Sequence, residues 1–146
     1  MELGVVSIRL VEESDETSVY ELVTALMAVA LDRKSFHDVF ALNIRDDNVL
    51  YYVVERDGRV IGFASIHIEP QLHHAGLVGE IQELIVHETV RDKGIGAQLV
   101  SRLEMEAEKR GCVSIEVTTK NFRVDAQRFY EQVGFKRTHV NFTKKL

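Results

Sequence analysis

The order of apolar and polar residues along the chain predicts strands alternating with helices. Residues 5–11 alternate as expected of a first strand. Two stretches then repeat apolar residues every three or four positions, as on one buried helix face: the first carries Val19, Leu22, Val23, Leu26 and Ala30, and the second carries Phe36, Val39, Phe40 and Ile44. Ser14 and Ser35 are the predicted N-caps of these helices, because a serine hydroxyl accepts a bond from a free N–H of the first turn.

The middle of the chain has the pattern of a hairpin. Residues 48–55 and 59–69 are predicted strands, joined by a two-residue turn at Asp57-Gly58. Pro70 is expected to end the second strand, because it has no N–H to donate to a sheet. The further predicted elements are a loop at 71–76, a strand at 81–86, a helix whose buried face carries Ile95, Leu99, Leu103 and Ala107, a strand at 112–118, a helix at 125–133 and a last strand or hairpin at 135–143.

Strands and helices in this order predict a mixed α/β sheet, and 146 residues are expected to form one domain spanning residues 1–146. The apolar share of 45% and the charged share of 28% are typical of a soluble globular protein. No apolar run approaches the ~18–20 residues that cross a bilayer, and the acidic N-terminal stretch differs from a signal peptide. The lone Cys112 cannot form an internal disulfide, so we expect a cytoplasmic location and a packing role for this residue.

The net charge of −5 argues against nucleic acid as a partner. Its distribution is uneven: residues 1–90 contain 6 Lys/Arg and 16 Asp/Glu, whereas residues 91–146 contain 12 and 7. An acidic first part and a basic second part would suit a cationic amine on one side and an anionic cofactor on the other.

A glycine-containing loop leads directly into the third predicted helix. The first N–H groups of a helix lack intrahelical partners and carry partial positive charge, and glycines let an anion approach the backbone closely. A diphosphate is the natural ligand of such a loop. The pattern is neither a Walker loop, since no Lys-Ser/Thr follows, nor a Rossmann fingerprint, since a third glycine is missing. The loop consists of Arg91, Asp92, Lys93, Gly94, Ile95, Gly96 and Ala97.

This loop resembles the acetyl-CoA signature Gln/Arg-x-x-Gly-x-Gly/Ala of the GNAT superfamily of N-acetyltransferases. Residues 125–135 resemble the superfamily's later motif Ala-x-x-Phe-Tyr-x-x-x-Gly-Phe. The resemblance implies an α/β (α+β) GNAT fold, with a mixed, mostly antiparallel sheet, about four flanking helices and splayed central strands. It also implies an enzyme that transfers an acetyl group from acetyl-CoA to an amine.

Acetyl transfer needs a base, because an alkylamine with a pKa of ~10.4 is mostly protonated at neutral pH. Glu80 and Glu83 lie on the predicted central strand. On a regular strand, residues three apart face opposite sides, so only one of the two would face the acceptor. A bulge, which this superfamily typically has there, would change that parity. We favour Glu80 as the base, directly or through a water molecule, with Glu83 as the alternative.

The remaining roles follow from the resemblance. Tyr130 matches the superfamily tyrosine that acts as a general acid or as a hydrogen-bond donor to the coenzyme sulfur. The backbone of Leu84, Ile85 and Val86 would bind the pantetheine arm, and residues 91–97 the diphosphate. Two positions depart from the pattern: Asp92 stands where glycine is frequent, and Arg123 stands where many relatives have asparagine, so that it would contact a phosphate instead.

A closer similarity covers most of the chain and points to bacterial aminoalkylphosphonate N-acetyltransferases. Arg45 is the candidate ligand of a phosphonate, which bidentate arginine suits, and His73 and His74 would lie near the mouth of the site. That family has been linked to divalent metals. The two adjacent histidines plus His67 or His139 could contribute ligands, but adjacent residues on an extended strand point to opposite faces. The sequence alone therefore favours an ordinary polar loop over a metal site and leaves a divalent metal open. The residues carrying the similarity include Phe36, Phe40, Asn43, Arg45, Asp46, His67, His73, His74, residues 79–84, His139, Phe142, Thr143 and Lys144.

Other interpretations remain open for the acceptor and the assembly. The acceptor could be a polyamine, an aminoglycoside, a protein N-terminus or a lysine, and the acidic first part of the chain favours a polycation. A non-catalytic acetyl-CoA-binding module would keep Gly94 and Gly96 but would need neither Glu80 nor Tyr130. By analogy with relatives that dimerise through late strands, the alternating residues 138–143 are a candidate for pairing in a homodimer.

Overall fold

The computed structural model describes residues 6–91 and 93–146. Its centre is a five-stranded sheet in the order β1-β2-β3-β4-β5, in which the first four strands pair antiparallel and β4 pairs parallel with β5. The predicted mixed, mostly antiparallel sheet is confirmed. The elements are β1 (Ser7–Leu10), α1 (Glu16–Met27), α2 (Arg33–Asn43), β2 (Val49–Arg56), β3 (Arg59–Gln71), β4 (Gly76–Val86), α3 (Ile95–Lys109), β5 (Ser114–Val117) and α4 (Val124–Gln132).

Two apolar layers enclose the sheet. One face packs against α3, whose predicted stripe of Ile95, Leu99, Leu103 and Ala107 is fully buried. The other face packs against α1 and α2, which contribute Val19, Leu22 and Phe40 to a second cluster around Phe63 of β3. Cys112 packs beside the first layer, and burial raises the pKa of its thiol. The site described below lies on the face that α1 and α2 cover.

Both predicted N-caps are wrong. Ser14 lies inside a short 3-10 turn, Glu13–Asp15, and Asp15 is the residue before α1. Asp32 caps α2, and its carboxylate accepts the N–H of Ser35 at 2.9 Å. Aspartate and serine are both good N-caps, and the backbone of Asp32 is the one that is extended at this point, which leaves Ser35 in the first turn as the donor.

β3 and β4 are longer than the predicted strands and form a second hairpin. β3 does not stop at Pro70: this residue pairs with Leu77, and the ladder continues to Gln71 and Gly76. A proline is tolerated here because β2 pairs with β3 only as far as His67, so the missing N–H falls where none of the described strands pairs with that edge of β3. β4 consequently begins at Gly76, and the connecting loop shrinks to the 3-10 turn Leu72–His74.

The last predicted strand does not form. Residues 135–146 contain no strand or helix, and the side chains of Val140 and Phe142 are 80% and 90% exposed. Alternating residues become a strand only when another strand pairs with their backbone groups, and none of the described strands lies beside this segment. Within residues 6–91 and 93–146, no helix has the length and apolar content needed to cross a bilayer.

Candidate active site

The pairing between β4 and β5 stops halfway along β4. β4 pairs with β5 from Val78 opposite Ser114 to Ile81 opposite Val117, where β5 ends. Residues 82–86 continue alongside β3 alone, and among the described residues no strand covers their other edge. Backbone N–H and C=O groups on that edge have no strand partner there and can pair with an extended ligand, although the carbonyl of Val86 already accepts a bond from Arg91 Nε. Leu84, Ile85 and Val86, the residues predicted to bind the pantetheine arm, lie on this stretch.

A bulge in β4 sets which way its glutamates face. Ser65 of β3 lies opposite Glu83, but the next residue, Ile66, lies opposite Ile81, so Gln82 is an extra residue without a partner. Paired residues point to the same side of a sheet. Glu83 therefore shares the face of Ser65, and Glu80, opposite His67, lies on that same face. The bulge considered from the sequence is present, and it places both carboxylates on the α1/α2 side.

Glu80 lies among titratable groups of the two strands beside it, β3 and β5. His67 of β3 and Glu116 of β5 are its cross-strand neighbours. Partial burial raises the pKa of Glu80, and the negative charges of Glu69 and Glu116 raise it further, whereas His67 opposes them. A carboxyl group with a raised pKa is a better proton acceptor than an ordinary glutamate.

The two neighbouring histidines differ in their contacts. Nε2 of His74 lies 3.2 Å from Oε1 of Glu116, which brings His74 into the group around Glu80. His73 is more exposed, and its ring centroid lies 4.4 Å from that of His74. Within residues 6–91 and 93–146, no three His, Cys, Asp or Glu side chains are grouped so as to hold a metal ion.

Glu83 is hydrogen-bonded to Ser65, a residue that sequence patterns did not single out. Ser65 Oγ donates to Oε1 of Glu83 at 2.5 Å and accepts the backbone N–H of Glu83 at 3.0 Å. The phenol of Tyr51 lies within electrostatic range of this carboxylate and accepts Asn43 Nδ2 at 2.6 Å. Burial raises the pKa of Tyr51, and the Asn43 bond opposes that shift. The available signal for Ser65 was a lone hydroxyl in the otherwise apolar run 60–66.

The loop before α3 is open at its cap. Gly94 caps the helix with a φ of +80°, a conformation that favours glycine, and a Cβ built there would meet no atom within 4 Å. Ile95 is buried and anchors the helix start. Arg91 is exposed, and its Nε donates to the carbonyl of Val86 at 3.3 Å; Lys93 is exposed as well. Asp92 lies outside the described residues. The loop fits an anionic group, because space and positive charge coincide there.

Gly96 has a packing role that the sequence did not reveal. A Cβ at this position would lie 3.2 Å from Cζ and 3.3 Å from Cε1 of Phe129. The missing side chain therefore lets α4 approach the first turn of α3. Ala97 beside it is exposed, so this position can be changed without pressing on α4.

Tyr130 follows Phe129 on α4. Its ring makes edge contacts with Phe129 at 5.2 Å and Phe135 at 5.6 Å between centroids. Burial raises the pKa of Tyr130 to about 12, and Arg123, at the N-terminal end of α4, opposes the shift. The phenol is therefore protonated throughout the neutral range, which makes it a permanent hydrogen-bond donor.

Comparison with known proteins agrees with this geometry. The model of the Acetyltransferase (GNAT) family matches residues 16–135. The chain belongs to the GNAT family. The aminoalkylphosphonate N-acetyltransferase of Salmonella typhimurium is 42% identical over 144 residues, which are 99% of this chain and 94% of the relative. The chain is therefore an N-acetyltransferase.

Solved structures confirm the GNAT fold. A crystal structure named as a transcriptional regulator from Bacillus halodurans superposes with a TM-score of 0.89 at 27% identity, covering 97% of this chain and 100% of that one. The aminoglycoside N-acetyltransferase AAC(6')-Iy in complex with CoA gives a TM-score of 0.88 at 19% identity, covering 97% and 95%. The latter likeness concerns the fold alone.

The GNAT fold brings some of the predicted residues together, but not all. Glu80, Glu83 and His74 share the bulged face, while Gly96 and Tyr130 are connected through Phe129. Arg45 lies in the exposed turn that follows α2. In the part of the chain that the structure describes, its guanidinium pairs with neither glutamate.

Proposed function

We propose that this protein uses acetyl-CoA to acetylate the primary amine of a small molecule, an aminoalkylphosphonate, and that the whole chain is one catalytic domain. The observation that carries the reaction is the bulge in β4, which puts Glu80 and Glu83 on one face next to the free edge of residues 82–86. The acceptor is inferred from the similarity to the Salmonella enzyme.

The coenzyme would bind along β4 and over the start of α3. The backbone of Leu84, Ile85 and Val86 would pair with the pantetheine arm, and the loop before α3 with the diphosphate. When bound, acetyl-CoA supplies the acetyl group as a thioester. The loop residues in this role are Arg91, Asp92, Lys93, Gly94, Ile95, Gly96 and Ala97, with Arg123 available to a phosphate from the start of α4.

Glu80 would take the proton from the acceptor ammonium, directly or through a water molecule. Deprotonating an amine of pKa ~10.4 at pH 7 costs roughly 4.6 kcal/mol, which a base near the nitrogen offsets in part. The raised pKa of Glu80 suits this task, since it narrows the gap to the amine. Glu83 is the alternative base on the same face.

Tyr130 would donate a hydrogen bond to the sulfur as the thiolate leaves. With a pKa of about 12, it is a weak acid toward a thiolate of pKa ~8.5, and full transfer would be uphill by about 4.8 kcal/mol. Of the two roles open from the sequence, hydrogen-bond donation therefore fits the buried phenol better than complete proton transfer.

Charge would orient the acceptor. The carboxylates of Glu69, Glu80 and Glu116 attract an ammonium and repel a phosphonate. The phosphonate end would then point away from them, with Arg45 as its candidate ligand and His73 and His74 near the entrance. No metal ion is part of this proposal.

Thiol release from acetyl-CoA in the presence of different amines tests the proposal. Aminomethyl- and aminoethylphosphonate are expected to give the highest kcat/KM in a panel that also contains a polyamine, an aminoglycoside, a free lysine and a peptide N-terminus. A polyamine at the top of that ranking would contradict the phosphonate assignment. Coenzyme binding without thiol release from any amine would favour a non-catalytic module, a role compatible with the regulator named above.

Replacing Tyr130 with phenylalanine is expected to lower kcat by about 10- to 100-fold, because one hydrogen bond to the leaving sulfur is lost while the ring packing stays. The dissociation constant for CoA should change by less than about threefold. Steady-state kinetics and calorimetry measure the two quantities. Tyr20→Phe, which removes a phenol whose hydrogen bond goes to the carbonyl of Leu31, is the control. Equal losses in kcat and in affinity would contradict the donor role.

The acidic limb of the pH profile should report Glu80. The base works as a carboxylate, so activity should rise as pH increases through the pKa of Glu80. Glu116→Gln removes one charge that raises this pKa, so the limb should move to lower pH. Glu69 and His67 also face Glu80 and remain in place. The control is Glu108→Gln, an exposed change on α3, in which the acidic limb of the pH–activity profile should not move. If the limb also stays in place in Glu116→Gln, the assignment of Glu80 as the base is contradicted.

A further inference from the structure

We propose that Ser65 is a positioning residue whose hydroxyl closes the bulge in β4 and thereby holds Glu80 and Glu83 in their working orientation. The inference rests on the proposed function for its effect on turnover. Its structural part, the closure of the bulge, concerns β3 and β4 alone.

Ser65 is a polar side chain with no exposed surface. Its neighbours along β3, Ala64 and Ile66, are equally buried but face the α3 layer. A hydroxyl taken out of water costs free energy unless it is hydrogen-bonded. The partners of Ser65 therefore explain why a hydroxyl can be accommodated at this position.

Both partners belong to one residue, and that residue adjoins the bulge. An extra residue in one strand disrupts the ladder locally. Here the N–H of Glu83 donates to Ser65 Oγ at 3.0 Å, and the same oxygen donates to Glu83 Oε1 at 2.5 Å. One hydroxyl thus holds both the backbone and the carboxylate of Glu83, which an alanine at position 65 could not do.

The orientation of both glutamates depends on this irregularity. In a regular ladder, Ile66 would lie opposite Gln82 and His67 opposite Ile81, which would turn Glu80 toward the α3 core. A shift of the whole strand into that regular ladder would move Ile81, which is only 2% exposed, out of the apolar core, so its burial opposes the shift. Loss of the Ser65 hydroxyl should therefore loosen the bulge locally without shifting β4, so the fold persists while the carboxylates lose their fixed positions.

Kinetics and amide exchange of the full chain test the proposal. Ser65→Ala is expected to lower kcat at least about tenfold and to leave the CoA dissociation constant within about twofold. Ser65→Thr keeps the hydroxyl and should recover activity. Ala64→Gly is the matched control, because it weakens the same strand at the adjacent position on the opposite face. Its melting temperature should fall about as much as that of Ser65→Ala, but its kcat should stay within about twofold of wild type.

Exchange of the Glu83 amide, followed by NMR, separates the two proposals. The amide should be protected in wild type and in Ala64→Gly, and should lose protection in Ser65→Ala, whether or not any amine is acetylated. An unchanged Glu83 amide in Ser65→Ala, or an equal fall of kcat in Ala64→Gly, would overturn the positioning role. If Ser65→Ala does not fold, Ser65→Cys, which keeps the shape and weakens both bonds, takes its place under the same criteria. Absence of turnover in wild type would instead contradict the proposed function.

Discussion

Glutamine in place of Glu80 is expected to lower kcat/KM by roughly 10²- to 10⁴-fold, the usual contribution of a general base. Glutamine has the same shape but cannot accept the proton of the acceptor ammonium. The fold should tolerate the change, because Glu80 lies near Glu69 and Glu116, and removal of one negative charge reduces repulsion among them. Thermal unfolding should therefore show a melting temperature at or above that of wild type.

The pH dependence distinguishes a lost base from a lost contact. As pH approaches ~10, a growing share of the amine is already neutral, so the deficit of Glu80→Gln should shrink. A deficit that stays constant from pH 7 to 10 would indicate that Glu80 binds the acceptor without moving its proton. Glu83→Gln is the matched comparison on the same face, and a larger loss in that variant would make Glu83 the base.

Introducing a carboxylate at the exposed Ala97 is expected to weaken CoA binding about 10- to 100-fold. A negative charge ~6 Å from a diphosphate costs roughly 1–3 kcal/mol after partial screening by solvent. The helix should not suffer, since an acidic side chain in the first turn interacts favourably with the helix dipole. Ala97 is a cleaner position than Gly96, where any side chain would press on Phe129 and so disturb Tyr130.

Ala97→Gln separates charge from bulk in this experiment. Glutamine has the size of glutamate without its charge, and it should weaken CoA binding by less than about threefold. Raising the salt concentration should narrow the gap between the two variants, because exposed charges are screened. Calorimetry with CoA measures the dissociation constants of both variants at low and at high salt concentration. Unchanged affinity in Ala97→Glu would place the diphosphate away from the start of α3.

Sequence patterns predicted the secondary structure well where it depends only on residues that are close together along the chain. The α3 stripe was read from a four-residue spacing, and all four members are buried. The open cap at Gly94 followed from two glycines at a helix start. The same reasoning failed at Ser14, Ser35 and Pro70, because caps and strand ends depend on which of several suitable residues the tertiary structure uses.

The sequence by itself determined the helices, the strand-rich middle of the chain and the glycine loop, since helical and strand periodicities arise from backbone geometry within a few residues. Tertiary structure decided which side chains share a face of the sheet and which residues distant in sequence are in contact. The bond between Ser65 and Glu83 joins residues 18 positions apart, and the fit of Phe129 against Gly96 joins residues 33 positions apart. The shared face of Glu80 and Glu83 depends on how β4 pairs with β3, through partners 13 to 18 positions away. Such contacts depend on strand register and on the docking of α4, and a pattern read along the chain contains neither.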